Sequence, residues 1–319
     1  MAHAGLARPI GVLFGLALTV GGAACGREVP QGGVLSPSDL ARAPRVVRRL
    51  SAADALPRDL DLVVRVDVAR MRSQLGPVAA AELSARAVDR TDDDLLLGAM
   101  AQGDVVWLGL RVSDLARGDR VIVVEGRFAG FEPDPMTWSR STWSPSGARI
   151  FDRIDASSRG KTSRIIALHD RALAFVTSVE VDSVARVLRA GPDKDRGDPS
   201  ADGLLSLDLR RCHLPAELEQ RFAALGALTR GLGQVRATAN LDDEGLRVDA
   251  ELRALSPEAA ERAYAFLDAL RSEEGGGRLA AQVRGIHVGW PKLERVDQVV
   301  HLNLVVPREL LLSALTAEP

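Results

Sequence analysis

The chain has 319 residues, 46% of them hydrophobic and 26% charged, a balance typical of folded globular proteins and incompatible with wholesale disorder. Its 41 basic and 43 acidic residues leave a formal net charge of −2, so no excess of positive charge points to nucleic acid as a partner. Lys161, Lys194 and Lys292 are the only lysines; that arginine bias fits a GC-rich genome better than a binding role.

The N-terminus carries a lone Arg8, an apolar run of 11 residues from Ile10 to Val20, and then Gly21-Gly22-Ala23-Ala24-Cys25. A spanning helix needs about 20 apolar residues, so the run reads as the core of a secretory signal peptide over residues 1–24. Gly22-Ala23-Ala24-Cys25 resembles the lipobox of bacterial lipoprotein precursors, with Gly22 where that family usually carries an aliphatic residue. The resemblance implies a diacylglyceryl group on the Cys25 sulfur and cleavage just before it. The mature protein would then be held at the cell envelope, facing the periplasm or exterior, with the membrane as partner through its N-terminal lipid. Gly22 and Ala24 also suit an ordinary signal peptidase, which would release the chain. With Cys25 acylated, Cys212 has no partner for an intramolecular disulfide.

Residues 25–56, rich in Gly, Pro and Ser, read as a flexible tether with a reach of roughly 30 Å. Arg42, Arg45, Arg48 and Arg49 cluster in it; attraction to anionic headgroups is one reading, and a solvated linker is the simpler one.

The remaining chain reads as a duplicated unit, residues 57–192 and 203–319, joined by a polar linker at 193–202. Leu62-Val-Val-Arg-Val-Asp67-Val-Ala-Arg70 alternates as a half-buried strand should. Leu204-Leu-Ser-Leu-Asp208-Leu-Arg-Arg211 repeats its pattern, aligning Asp67 with Asp208 and Arg70 with Arg211. Helices are expected from Pro77 to about Arg90, from Asp92 to Ala101, and from Pro215 to Arg230, the prolines suiting a first helical turn. Strand pairs follow at Val105–Val112 and Val121–Phe128, and at Val235–Leu241 and Leu246–Leu252. The second pair turns through Asp242-Asp-Glu-Gly245, a hairpin signal. Each unit closes with two strands and a helix: Arg164–Leu168, Ala172–Thr177 and Val181–Ala190 in the first, Ile286–Trp290, Gln298–Val305 and a helix from Pro307 in the second.

The units differ between hairpin and closing strands. The second has a helix capped by Ser256, with Ala260, Ala263, Tyr264, Leu267 and Leu270 on one stripe. The first has a long loop, residues 129–163, and loops of that length are often functional. It carries Thr137-Trp138-Ser139 and Thr142-Trp143-Ser144. Trp138 and Trp143 are the candidate binding residues if their rings are exposed; otherwise they cover the sheet edge as core.

Other residues point away from chemistry. His169, His213, His287 and His301 lack zinc-site spacing, although His287 and His301 could face each other if their turn centres near Glu294. Asp193, Asp195, Gly197 and Asp198 fail as a calcium loop, because Leu204 stands where a bidentate Glu is needed. Cys212 beside His213 reads as a buried structural thiol. Asp67 and Asp208 read as caps or ion-pair partners. No phosphate loop, nucleophile elbow or metalloprotease motif is present, so no catalytic residue, metal or cofactor is assigned.

The expected fold is α+β: two tandem diverged repeats, each an antiparallel sheet with helices on one face. The expected function is a non-catalytic binding or structural role at the envelope, toward an envelope protein or an apolar ligand. Carriage of a hydrophobic ligand is the alternative, and an enzyme with scattered residues comes third.

Overall fold

The computed structural model describes residues 50–76, 94–113, 119–143, 147–155, 161–192, 199–212, 226, 228–271 and 289–308. The leader, Cys25, residues 26–49, His213, His287, the expected helices at 77–90 and beyond 308, and all but the last turn of the one from Pro215 lie outside the described residues.

Twelve described strands form one antiparallel sheet: β1 (Leu62–Asp67), β2 (Val105–Leu110), β3 (Val121–Glu125), β4 (Trp138–Arg140), β5 (Arg149–Arg153), β6 (Thr162–His169), β7 (Ala172–Thr177), β8 (Leu205–Arg210), β9 (Leu232–Leu241), β10 (Gly245–Ala254), β11 (Gly289–Val296) and β12 (Val299–Pro307). Their order is β11-β12-β10-β9-β8-β1-β2-β3-β7-β6-β5-β4. Helices α1 (Asp94–Gln102), α2 (Val181–Ala190) and α3 (Pro257–Arg271) pack on it, and residues 68–76 are also helical.

Whether the two halves share a sheet is left open by the sequence; the strand order joins them in one. β1 pairs with β8, from Leu62 opposite Leu209 to Val66 opposite Leu205. Left apart, both strands would present unpaired N–H and C=O groups along an edge; joined, they sit at the centre of the sheet.

Helices on one face only is corrected. Leu62, Val64, Val106, Leu108, Ile122 and Phe175 share a first face with Leu96 and Ala99 of α1. Val63, Trp107, Val121, Val123 and Val176 point to the second face, against Val184 and Leu188 of α2. β2 and β3 are continuous apolar runs rather than alternating ones, and such strands need cover on both sides.

The second face is also covered by the segment ahead of β1. Leu50, Ala52, Ala55, Leu56 and Leu60 are buried there, so the folded body begins by residue 50 and the tether boundary at 56 is corrected. Gly109 permits this packing, since a Cβ there would lie 2.5 Å from Leu60 Cδ1.

In the second half, α3 buries Ala259, Ala260, Ala263 and Leu267 against Leu252, Leu293 and Val300. The register places these strand residues on the first face, the side that α1 covers in the other half. Met71 and Leu75 of helix 68–76 pack on the same face farther along, against Ala239, Leu246 and Val306.

Two local expectations changed. The long loop contains the β4–β5 hairpin, in which Ile150 and Phe151 are buried on opposite faces. β11 runs through Pro291 to Val296 rather than ending at Trp290, and turns at Asp297, whose φ is +52°. Proline is tolerated because β11 lies at the end of the described sheet order.

Candidate functional site

The two tryptophans singled out from sequence do not form one exposed platform. Trp138 opens β4, is 3% exposed, and joins the first-face core. The Arg153 guanidinium lies 4.9 Å from its ring centroid. Trp143 is half-buried against the second-face core, with the Arg189 guanidinium 4.8 Å from its centroid. An odd spacing sends side chains of an extended segment to opposite faces, and these rings divide in that way. The surface contact expected at Trp138 is therefore corrected: that ring is core.

The second half presents two contrasting faces. On its second face, Arg236, Glu251, His301 and Glu294 lie opposite one another across β9, β10, β12 and β11, and Thr238, Asp249, Asn303 and Lys292 form the next row. A shallow groove of about 330 Å³ runs over these strands. Its charges largely satisfy each other: Lys292 pairs with Glu294 at 3.0 Å, Arg253 with Glu251 at 3.3 Å, and Asn303 donates from Nδ2 to Asp249. This is the solvated side of an antiparallel sheet. His301 sits opposite Glu294, which lies within β11, and the turn between β11 and β12 is at Asp297. Among the described residues no group of three or more His, Cys, Asp or Glu side chains could hold a metal ion.

The first face of the same strands is aliphatic. Leu207, Ala237, Ala250 and Leu302 lie directly opposite one another across β8, β9, β10 and β12. Val248 and Leu304 flank them in the adjoining row. All six are half-buried. Ala250 and Leu302 pack against the core under α3, Val248 against the core under helix 68–76, and Leu207 against the first-face core of the first half. Simple alternation in Val235-Arg-Ala-Thr-Ala-Asn-Leu241 puts the apolar residues on one face; the fold leaves Ala237 half-buried and buries Ala239.

The recurrent aspartates do structural work. Asp67 Oδ1 accepts the Arg70 N–H at 2.9 Å, a cap at the start of helix 68–76. Asp208 is buried, paired with Arg210 at 2.9 Å, and accepts from Gln234 Nε2 at 2.7 Å. Near it, Cys212 is fully buried. Burial, with the charges of Asp208 and Asp61, pushes its thiol up to about 11. Thiolate chemistry requires the deprotonated, accessible sulfur, so Cys212 is inert in the native state. In the folded protein it should resist an aromatic disulfide reagent at pH 8 and react stoichiometrically in denaturant. Rapid native labelling would show that this part of the fold opens readily.

A charge cluster built around the buried Glu180 lies at one end of the first half. Arg111 donates to Glu180 Oε1 at 2.8 Å and to Asp59 Oδ2 at 2.7 Å, and Ser183 Oγ also donates to Glu180. Burial works to raise the Asp59 pKa, but the hydrogen bonds and charges of Arg111 and Arg186 outweigh it and hold the carboxyl below its ordinary value. Every member has its partner, so the cluster ties segments together rather than waiting for a substrate. Among the described residues, no helix is long and apolar enough to cross a membrane.

No protein-family model and no curated protein matches the chain. Solved structures similar to it include crystal form I of TP0453, at 7% sequence identity, covering 83% of this chain and 96% of that one with a TM-score of 0.48. Crystal form III of TP0453 is similar at 9% identity, covering 84% and 99% with a TM-score of 0.45.

Proposed function

We propose that this chain is a lipid-anchored protein of the bacterial cell envelope with a non-catalytic binding role, holding an apolar ligand against the first face of its second half. The observation that carries the reading is the half-buried aliphatic row through Leu207, Ala237, Ala250 and Leu302. Apolar surface left partly uncovered between two packed cores is stabilised by an apolar occupant, at about 25 cal/mol per Å² removed from water. The anchor reading is supported by the resemblance of Gly22-Ala23-Ala24-Cys25 to a lipobox.

The same reading includes two tandem diverged repeats. From the central pair outward, the strand order is β1-β2-β3-β7-β6 on one side and β8-β9-β10-β12-β11 on the other. Arg65 stands opposite Ser206, and these are equivalent positions when Asp67 is aligned with Asp208. The register at that pair is the one a local two-fold axis exchanging the halves would require. The β4–β5 hairpin of the first half then occupies the chain position that α3 holds in the second.

The test is mass spectrometry of the protein purified from its native membrane. A diacylglyceryl mass on residue 25, absent from a Cys25→Ala variant, is the expected result for the anchor. Solvent extraction of the purified protein should release a stoichiometric apolar compound, and Leu302→Asp should lose it. An unmodified N-terminus overturns the anchor, and an empty protein with unchanged behaviour in Leu302→Asp overturns the ligand.

A further inference from the structure

β11 ends the sheet on the side of the second half, and no described strand pairs with its outer edge. On its inner side β11 pairs with β12 through the two-residue turn Asp297-Gln298, which sets Val296 opposite Val299. Residues flanking a two-residue hairpin turn form a hydrogen-bonded pair, and bonded and non-bonded pairs alternate from there. Val296, Glu294 and Lys292 therefore spend their N–H and C=O groups on β12. Those of Leu293 and Arg295 point outward, the template on which a further strand adds.

The side chains along this edge select what adds to it. Lys292 and Glu294 lie on the second face, each 54% exposed and 3.0 Å from the other. On the first face Leu293 is buried under α3, and Arg295 is held by Glu261 of α3 at 2.8 Å. A second copy of β11 can join antiparallel about a two-fold axis. With the axis at Leu293, Lys292 stands opposite the partner's Glu294, and Glu294 opposite the partner's Lys292. With the axis at Lys292, Glu294 or Arg295, that residue faces its own charge, which is destabilising across strands. One register is favoured and its neighbours are penalised.

The rest of the edge is compatible with that register. α3 packs on β10, β12 and β11 through Leu252, Val300 and Leu293, so it lies near the middle strand, β12. The two copies of β12 would be three strand spacings apart, about 14 Å. Packed helices need only about 8–10 Å, so the two copies of α3 do not collide. Pro291 has no N–H to offer, which keeps the pairing centred on Leu293. Charges and proline ordinarily guard an edge against added strands; this pattern admits a strand that carries its complement. At the other end of the sheet β4 has only three residues, and such short edges resist pairing. Joining β11 to β11 therefore closes at two copies.

We infer that β11 is a homodimer interface: two copies of this chain join edge to edge about an axis at Leu293, with Lys292 and Glu294 paired across it. The inference depends on neither the anchor nor the apolar ligand.

The experiment measures the mass of the full chain in mild detergent by light scattering over a concentration series. Wild type should show a monomer–dimer equilibrium, with the Leu293 and Arg295 amides exchanging more slowly as dimer forms. Lys292→Glu and Glu294→Lys should each weaken the dimer about tenfold or more, because two attractive pairs become two repulsive ones. Mixed one to one, these two variants should recover the wild-type affinity as a heterodimer, since every facing pair is again opposite in charge. The double variant Lys292→Glu/Glu294→Lys should recover it as a homodimer. Recovery separates lost pairing from lost fold, which a misfolded variant could not regain on mixing. A wild-type chain that stays monomeric at every concentration overturns the inference. So does a dimer indifferent to both reversals, or one that neither mixing nor the double variant restores.

Discussion

Arg111→Met should lower the unfolding free energy by about 3–5 kcal/mol, the usual cost of leaving a buried charge without its partner. The Glu180 side chain is 1% exposed, and Arg111 meets it through Nε at 2.8 Å and Nη2 at 3.2 Å. The same guanidinium holds the Asp59 carboxylate at 2.7 Å and the Asp59 carbonyl at 3.0 Å. It therefore joins three pieces distant in sequence: the segment before β1, the end of β2 and the start of α2. Methionine keeps most of the aliphatic length, so the loss reports charge rather than a cavity. Urea unfolding followed by far-UV circular dichroism gives the number. Adding Glu180→Gln should recover part of it, because an amide tolerates the site without a cation while accepting from Ser183. A loss below about 1 kcal/mol would place the cluster among ordinary surface pairs.

The pH dependence has a definite sign. Asp59 has its carboxyl held below the ordinary 3.8. A carboxylate with a depressed folded-state pKa stabilises the fold above its unfolded value, and the contribution disappears as pH falls through the folded one. The gap between wild type and Arg111→Met should thus be fullest above pH 4 and narrow progressively below it. A gap that widens in acid would mean that another group dominates.

Local pattern made much of this fold legible. Alternation in Leu62–Asp67 and the two runs of the second hairpin, the apolar stripe of α3, and the closing helix at 181–190 all reflect periodicities of a few residues. What was not legible depends on partners far apart. Nothing within Leu62–Asp67 says that its neighbour is Leu205–Arg210, so two sheets and one sheet look alike in sequence. The face assignment failed for a related reason: β2 and β3 are too uniformly apolar to say which side carries a helix. Short strands among turn residues escaped too, since Trp138-Ser-Arg140 between prolines and glycines has no period to detect. The candidate site suffered most. Trp138 drew attention because of where it falls in the sequence, and burial removed it. Ala237 and Ala250 drew none, because an alanine acquires meaning only from the larger residues placed across the sheet from it.

Gly245→Ala should be as damaging as any single methyl added to this protein, at about 3–5 kcal/mol from backbone strain and overpacking together. The Asp242-Asp-Glu-Gly245 turn was visible from sequence, but its severity was not. Gly245 has φ of +144°, a region that side chains rarely adopt. It also opens β10 opposite Pro307 of β12, and a Cβ there would stand 2.1 Å from the Val306 carbonyl oxygen. That atom belongs to backbone, so no rotamer change relieves the clash; the turn or the end of β12 must move. On its other side the turn is fixed, with Asp242 Oδ1 accepting the N–H groups of Glu244 and Gly245 at 3.0 Å. Movement should therefore fall on β12, and with it on Val306, which packs against the core shared with Met71 and Leu75. Thermal unfolding measures the loss, and hydrogen exchange locates it: amides of Leu304 to Val306 should exchange much faster than those of Val121 to Val124. Uniform acceleration across both halves would show instead that the sheet opens as one cooperative body, with β1 and β8 transmitting the strain.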